Sequence, residues 1–173
     1  MKYFLTISIV LSFLGLRSPA LALAVGDDAP SVSAKDQNGA TLNLADLYVQ
    51  GPVLVYFYPK ADTPGCTAQA CSLRDDFPRF TGEGVKIVGV SCDTVEAQKK
   101  FADKYNLPFP LLADTEQTVA KAFGVPLLPV LGVPQRQSFI IRDGKIAWIA
   151  RSAKTGEHAA EVQAALKELG LAE

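Results

Sequence analysis

The chain has 173 residues, 49% of them hydrophobic and 20% charged, with 17 basic against 18 acidic side chains and a formal net charge of -1. That balance leaves no basic surplus for nucleic acid or anionic lipid, and the length suits one domain that builds its own core without disulfide staples. No internal repeat or low-complexity stretch interrupts it. At the amino terminus Lys2 precedes an apolar run from Tyr3 to Leu16, and the small residues Ala20, Ala22 and Ala24 follow, the pattern of an export signal. A membrane span needs about 20 apolar residues, and Arg17 and Pro19 break the run before that, so cleavage is expected rather than retention. Residues 1–24 are expected to be a cleaved export signal peptide. Residues 25–173 are expected to be one soluble domain without stable membrane association, in the periplasm or an equivalent extracytoplasmic compartment. No Cys lies near the cleavage site to carry a lipid, and losing Lys2 and Arg17 takes the charge from -1 to -3.

In chain order, Ser31 to Leu47 alternates weakly around Asn38-Gly39, a two-residue hairpin signal, which predicts a short amino-terminal hairpin. Val53–Tyr58 and Val85–Val90 are β-branched and aromatic runs of buried-strand type. Between them, Cys66, Ala70, Leu73, Phe77 and Phe80 recur at the spacing of one helix face, which predicts a helix over Pro64–Phe80 and so a βαβ unit. Helices are expected at Val95–Tyr105 and Thr115–Phe123, with a short strand at Pro110–Leu112. Strands at Gln137–Ile141 and Lys145–Ala150 flank the turn Asp143-Gly144, and a last helix runs from His158 to Leu169. Strands alternating with helices, closed by a hairpin and a helix, give a three-layer α/β domain on a mixed central sheet. A thioredoxin-like fold matches that order.

Residues 59–66 join the carboxyl end of a strand to the amino end of a helix, the rim where such folds build sites. Thr63 suits the N-cap and Pro64 the first helical position, which puts Cys66 in the first turn. There unpaired N–H groups and the helix dipole favour a thiolate over a thiol. Cys66 also lies on the apolar face, where a buried, inert Cys is common. Cys71 changes the balance. Five residues apart on an intact helix, the two Cα atoms are roughly 8.6 Å apart on opposite sides, whereas a disulfide needs less than about 7 Å. The bond therefore forms only if that turn unwinds, which suits a redox pair better than a permanent staple. The spacing is not the Cys-x-x-Cys of thioredoxin-type reductases. A metal site is disfavoured because no Cys-x2-Cys pair exists and His158 is the single histidine.

The stretch YFYPKADTPGCTAQACSLRD (56–75) resembles the active-site segment of peroxiredoxins, with the motif Pro-x3-Thr-x2-Cys. It is most similar to the Q-type (bacterioferritin comigratory protein) subgroup, which often carries a second Cys five residues on. GVKIVGVSCD, PFPLLAD, FGVP and RQSFIIRDGKI follow in the family order. The resemblance implies that Cys66 is the peroxidatic Cys, that Pro59 shields it, that Thr63 hydrogen-bonds the peroxide, and that Arg136 is the second active-site basic residue. A guanidinium beside a thiolate would stabilise it and donate to peroxide oxygens. It further implies a Cys66 sulfenic acid resolved by Cys71 as an intramolecular disulfide, hydrogen peroxide or organic hydroperoxides as substrate, recycling by a thioredoxin-like reductant, no metal, flavin or haem cofactor, and a monomer.

Other readings stay open at this level. A thiol-disulfide exchange protein would reduce disulfides and leave peroxide untouched, and a binding module would hold an unreactive bridge or buried thiols. Cys92, at the end of the strand Lys86 to Ser91, is either an alternative resolving thiol or a partly buried free one. Arg142, beside the turn, reads as surface. Pro126 to Pro134 (PLLPVLGVP) is apolar and proline-rich, an entrance for bulky apolar hydroperoxides or a dimer contact.

Overall fold

The computed structural model describes residues 22–173. The expected export signal falls almost wholly outside the described residues. Seven strands form one mixed sheet in the order β2-β1-β5-β4-β3-β6-β7. They are β1 (Ser33–Lys35), β2 (Thr41–Asn43), β3 (Val53–Phe57), β4 (Lys86–Ser91), β5 (Leu111–Ala113), β6 (Ser138–Arg142) and β7 (Lys145–Ala150). The six helices among the described residues are α1 (Leu44–Tyr48), α2 (Pro64–Asp75), α3 (Phe77–Gly82), α4 (Val95–Tyr105), α5 (Thr118–Ala122) and α6 (His158–Glu168). β3, β4 and β5 are parallel, β6 runs antiparallel to β3, and β7 and the β1–β2 hairpin close the two edges antiparallel.

The run VLVYF is fully buried because β3 lies mid-sheet with both faces covered. Its period of two divides the run between two cores. Leu54, Tyr56 and Tyr58 pack with Leu73, Phe80, Phe101 and Val162 under α2, α3, α4 and α6. Val53, Val55 and Phe57 pack with Leu44, Val119, Phe123 and Phe139 under α1 and α5. Gly89 in β4 is required by close approach: a Cβ there would stand 2.7 Å from Leu111 Cδ2 and 2.8 Å from the Tyr56 hydroxyl oxygen.

Four local expectations need correction. The hairpin closes through a five-residue loop, 36–40, in which the Asp36 carboxylate accepts from the N–H groups of Asn38 and Ala40. Residues after Asn43 leave the sheet, because Asn43 accepts from Ala45 N–H and caps α1. The helix expected over 64–80 is two helices, since Pro78 lacks the N–H that would continue the ladder and its ring crowds the preceding turn. The chain bends at Asp76, although the apolar spacing runs on through the break. Last, α5 starts at Thr118 rather than Thr115, because the Asp114 carboxylate reaches forward to accept from Val119 and Ala120 N–H at 3.0 and 2.8 Å.

Candidate active site

The loop between β3 and α2 is held at several points before it reaches Cys66. Tyr58 N–H donates to the Val90 carbonyl at 3.0 Å, carrying the β3–β4 pairing one residue past the strand. Pro59 follows, half-buried. Ala61 N–H then donates to Asp93 Oδ2 at 2.7 Å, and Ser91 Oγ donates to the same oxygen at 2.7 Å. Gln98 Nε2 donates to Ser91 Oγ and the Leu112 carbonyl, and the Tyr58 hydroxyl donates to Gln98 Oε1. The carboxyl ends of three strands are thus tied to the approach of the loop.

Thr63 occupies the N-cap position of α2 with extended backbone, and its carbonyl accepts the first helical bond, from Thr67 N–H at 2.8 Å. Its side chain does not cap, contrary to expectation. Thr63 Oγ1 donates instead to the Lys60 carbonyl at 3.0 Å. The N–H groups of Gly65 and Cys66 therefore precede the helical ladder, two donors at the positive end of α2. Cys66 is 2% exposed, so it sits on the apolar face as the periodicity implies, and its sulfur also faces a charge.

That charge is Arg136. Phe57 N–H donates to the Gln137 carbonyl at 2.7 Å, which aligns the start of β6 with the end of β3, and Ala153 N–H donates to the Arg136 carbonyl. The side chain crosses to α2, where Nη2 donates to Cys66 Sγ at 3.4 Å and Nη1 donates to Gln69 Oε1. A guanidinium only donates, so the Gln69 amide must turn its oxygen towards Arg136. Gln69 is 0% exposed, and its Nε2 has no protein partner. Two residues 70 apart in sequence thus meet at the thiol, and Gln69 fixes the angle at which they do so.

Cys71 lies half-buried further along the same unbroken helix, and Cys66, Cys71 and Cys92 are all free thiols. A disulfide between the first two requires local opening of α2, as their spacing implies. Cys92 shares the carboxyl rim with Cys66, because β3 and β4 are parallel. Burial, with the Asp114 and Asp93 carboxylates, pushes its pKa up to about 11. Arg142 is exposed, as expected.

Around Arg136 and His158 stand Thr155, Ser138 and Glu161, which the sequence does not single out. Thr155 lies beside Gly65, where a Cβ would stand 3.5 Å from Thr155 Cγ2 and 3.4 Å from Arg136 Nη2. Glu161 accepts from Lys154 N–H and from His158 Nδ1, both at 3.2 Å, while His158 Nε2 lies 3.0 Å from Ser138 Oγ. Because Glu161 can only accept, a neutral His158 carries its proton on Nδ1, and Ser138 donates to Nε2. Ser, His and Glu in that order form a nucleophile-like series. Ser138 and His158 are both 0% exposed, so the series braces the fold and has no access to substrate.

The chain that sets a buried thiol at a helix start, faced by an arginine from the approach to β6, is similar to known proteins. The profile of the AhpC/TSA family matches residues 25–149. Peroxiredoxin Bcp of Escherichia coli K12 is 44% identical over 152 residues, covering 84% of this chain and 97% of that one. The chain belongs to the AhpC/TSA family, in its peroxiredoxin Q group. The chloroplastic peroxiredoxin Q of Populus jackii is 44% identical over 116 residues, covering 67% of this chain, which spans 54% of that relative's length. Among solved structures, peroxidoxin BcpB from Mycobacterium tuberculosis superposes with a TM-score of 0.78 at 36% identity, covering 84% of this chain and 97% of the other. The thioredoxin-like fold expected from the sequence is the fold of this family's peroxiredoxins. Among the described residues no group of three or more His, Cys, Asp or Glu side chains is arranged to hold a metal, and no helix is long and apolar enough to cross a membrane.

Proposed function

We propose that the protein is a thiol-dependent peroxidase that reduces hydrogen peroxide and organic hydroperoxides through Cys66. The observation that carries this reading is the Arg136 guanidinium donating to Cys66 Sγ at 3.4 Å, at a helix start whose first N–H groups precede the ladder. A fixed positive charge beside the sulfur stabilises a thiolate, and the same donors can take the charge that builds on the leaving oxygen.

The Cys66 thiolate attacks the distal peroxide oxygen, the O–O bond breaks, and the departing oxygen takes a proton to leave as water or an alcohol. Cys66 becomes a sulfenic acid. Cys71 then attacks that sulfur, the S–S bond forms, and water is released. A thioredoxin-like dithiol restores both thiols. Pro59 shields the thiol and Thr63 hydrogen-bonds the peroxide in this reading. The protein acts as an exported monomer, in the periplasm or an equivalent compartment, after loss of residues 1–24. Its apolar segment 126–134 favours bulky hydroperoxides, and equal catalytic efficiency for hydrogen peroxide and a bulky alkyl hydroperoxide would count against that preference.

The test is stopped-flow fluorescence of Trp148, the one tryptophan, on the reduced protein mixed with hydrogen peroxide, with mass and free-thiol counts after each turnover. Wild type is expected to consume two thiols, Cys66→Ser none, and Cys71→Ser to stop at sulfenic acid or beyond. No further loss in Cys71→Ser/Cys92→Ser excludes Cys92 from the cycle. Thiols that persist through excess peroxide in the wild type would sink the peroxidase reading and leave disulfide exchange.

A further inference from the structure

Disulfide closure requires α2 to open near Cys66, and both ends of α2 are fastened to the last residues of α4. Just before α2, Lys104 Nζ donates to Asp62 Oδ1 and Oδ2 at 2.9 and 2.8 Å, and the Tyr105 hydroxyl donates to Oδ1 at 2.7 Å. Near the far end, Arg74 Nη1 donates to the Tyr105 carbonyl at 2.8 Å. There Ser72 Oγ also accepts from Ala159 N–H at the start of α6. Tyr105 therefore holds the start of α2 with its side chain and the end with its backbone.

The two fastenings differ in how readily they release. The far one uses a main-chain carbonyl and a second contact to another helix. The near one is built only from side chains. Asp62 and Lys104 are 47% and 57% exposed, so salt screens the pair. Asp62 holds φ 57°, in the left-handed region that aspartate and asparagine tolerate. The approach to the first turn of α2 is thus held by an external, solvent-exposed grip.

We propose that the Asp62–Lys104–Tyr105 grip positions Cys66 for peroxide attack, and that its release sets how the Cys66 sulfenic acid divides between capture by Cys71 and capture by a second hydroperoxide. The proposal rests on the thiol peroxidase reading. In the first branch the Cys71 thiolate attacks the Cys66 sulfur, the S–O bond breaks, and hydroxide leaves and is protonated to water. In the second, the sulfenate attacks another hydroperoxide and takes its distal oxygen to become sulfinic acid, and an alcohol or water departs after protonation. Asp62, Lys104 and Tyr105 act through the helix and need not touch the peroxide. A tighter grip lengthens the life of the sulfenic acid and favours the second branch.

The test uses the full chain carrying Lys104→Met and Tyr105→Phe together. These keep the aliphatic stem and the ring that packs on Phe101 while removing every donor to Asp62. Lys99→Met is the control, because it severs the exposed Lys99–Asp103 pair on the same helix and touches nothing in the loop. Rapid-quench thiol trapping gives the closure rate, and intact mass gives the sulfinic fraction, across a range of hydrogen peroxide and salt concentrations. The double variant should close about two- to five-fold faster than wild type, the scale of an exposed ion pair, with a smaller sulfinic fraction. Lys99→Met should match wild type. Asp62→Asn, which keeps a residue type tolerant of the left-handed backbone, should move in the same direction by less. Added salt should speed closure in wild type and have little effect in the double variant. If Cys66 is oxidised normally but closure and sulfinic fraction match the control at every salt concentration, the grip has no such role. If peroxide leaves Cys66 untouched in wild type, the peroxidase reading falls and this proposal falls with it.

Discussion

Cys66 and Cys92 share the carboxyl rim of the sheet, Cys92 directly after β4 and Cys66 in the first turn of the helix that follows the neighbouring parallel strand β3. Their surroundings have opposite sign. Cys66 lies at a helix start with a guanidinium 3.4 Å from its sulfur. Cys92 lies near Asp93 and Asp114, and burial together with these carboxylates raises its pKa to about 11, with Lys121 only partly offsetting them. At neutral pH Cys92 is a thiol, and a thiol is a poor nucleophile. Position on the rim of an α/β sheet offers access. The charge of the neighbours decides whether that access becomes reactivity.

The most direct way to break this comparison is to remove the positive charge. Arg136→Met is expected to lower the second-order rate of Cys66 oxidation by about 10²- to 10³-fold, the loss typical when one preorganised donor is taken from an anionic transition state. Arg136→Lys should recover only part of it, since an ammonium lacks the planar fork that engages Gln69 and Cys66 together. Gln69→Leu should fall between wild type and Arg136→Met, because it leaves the charge in place but frees its angle. Stopped-flow fluorescence of Trp148 measures all three. If Arg136→Met reacts at the wild-type rate, neighbouring charge does not distinguish the two thiols.

Much of the Cys66 side of this contrast is legible in the amino-acid order alone. Thr63, Pro64 and Cys66 lie within one loop and one helical turn, so their spacing places the thiol at the helix start, while the role of Pro59 comes only from resemblance to a family. Arg136 is reached only through resemblance to a family, since an arginine at a strand end is otherwise an ordinary solvated side chain. Gln69 is hidden, because a buried glutamine on an otherwise apolar face has meaning only once Arg136 arrives from another element. His158 reads in the sequence only as a lone metal-ligand candidate, and its partners Ser138 and Glu161 depend on how α6 docks against β6. The strands are legible because VLVYF and its neighbours are unmistakably apolar. The break between α2 and α3 is not, because Pro78 interrupts the hydrogen bonds while leaving the apolar spacing intact.

His158 sharpens the contrast from the Arg136 side, because that guanidinium acts on its charge state. Burial, opposed by its bond to Glu161, holds its pKa below the ordinary 6.5, and Arg136 pushes it the same way as burial. Glu161 on its own helix, Ser138 on β6, Arg136 before β6 and the Tyr56 ring on β3 are the groups that face it. The unfolded chain takes up this proton near pH 6.5, while the folded chain resists it to lower pH. This contribution to stability is therefore complete above about pH 6.5 and is lost as pH falls from there towards the folded pKa, with a limiting slope of about 1.4 kcal/mol per pH unit. His158→Asn should remove one proton from that slope in urea titrations between about pH 5 and 7. An unchanged slope would mean that His158 takes up its proton alike in the folded and unfolded chains, so that neither burial nor Arg136 holds it neutral.

The smallest effect is expected on the Cys92 side. Asp114→Asn should lower the Cys92 pKa and Lys121→Met should raise it, each by less than about one unit, since both act as charges through a half-exposed site. The measurement is the pH dependence of Cys92 alkylation in a Cys66→Ser/Cys71→Ser background. Because Asp114 also accepts from Val119 and Ala120 N–H, its substitution alone could shift Cys92 by loosening α5. Lys121→Met makes the pair informative, since only a charge effect moves the two variants in opposite directions. A common shift in both would assign the high pKa to burial alone. Charge would then separate the two thiols only through Arg136, since Cys66 is the more buried of them.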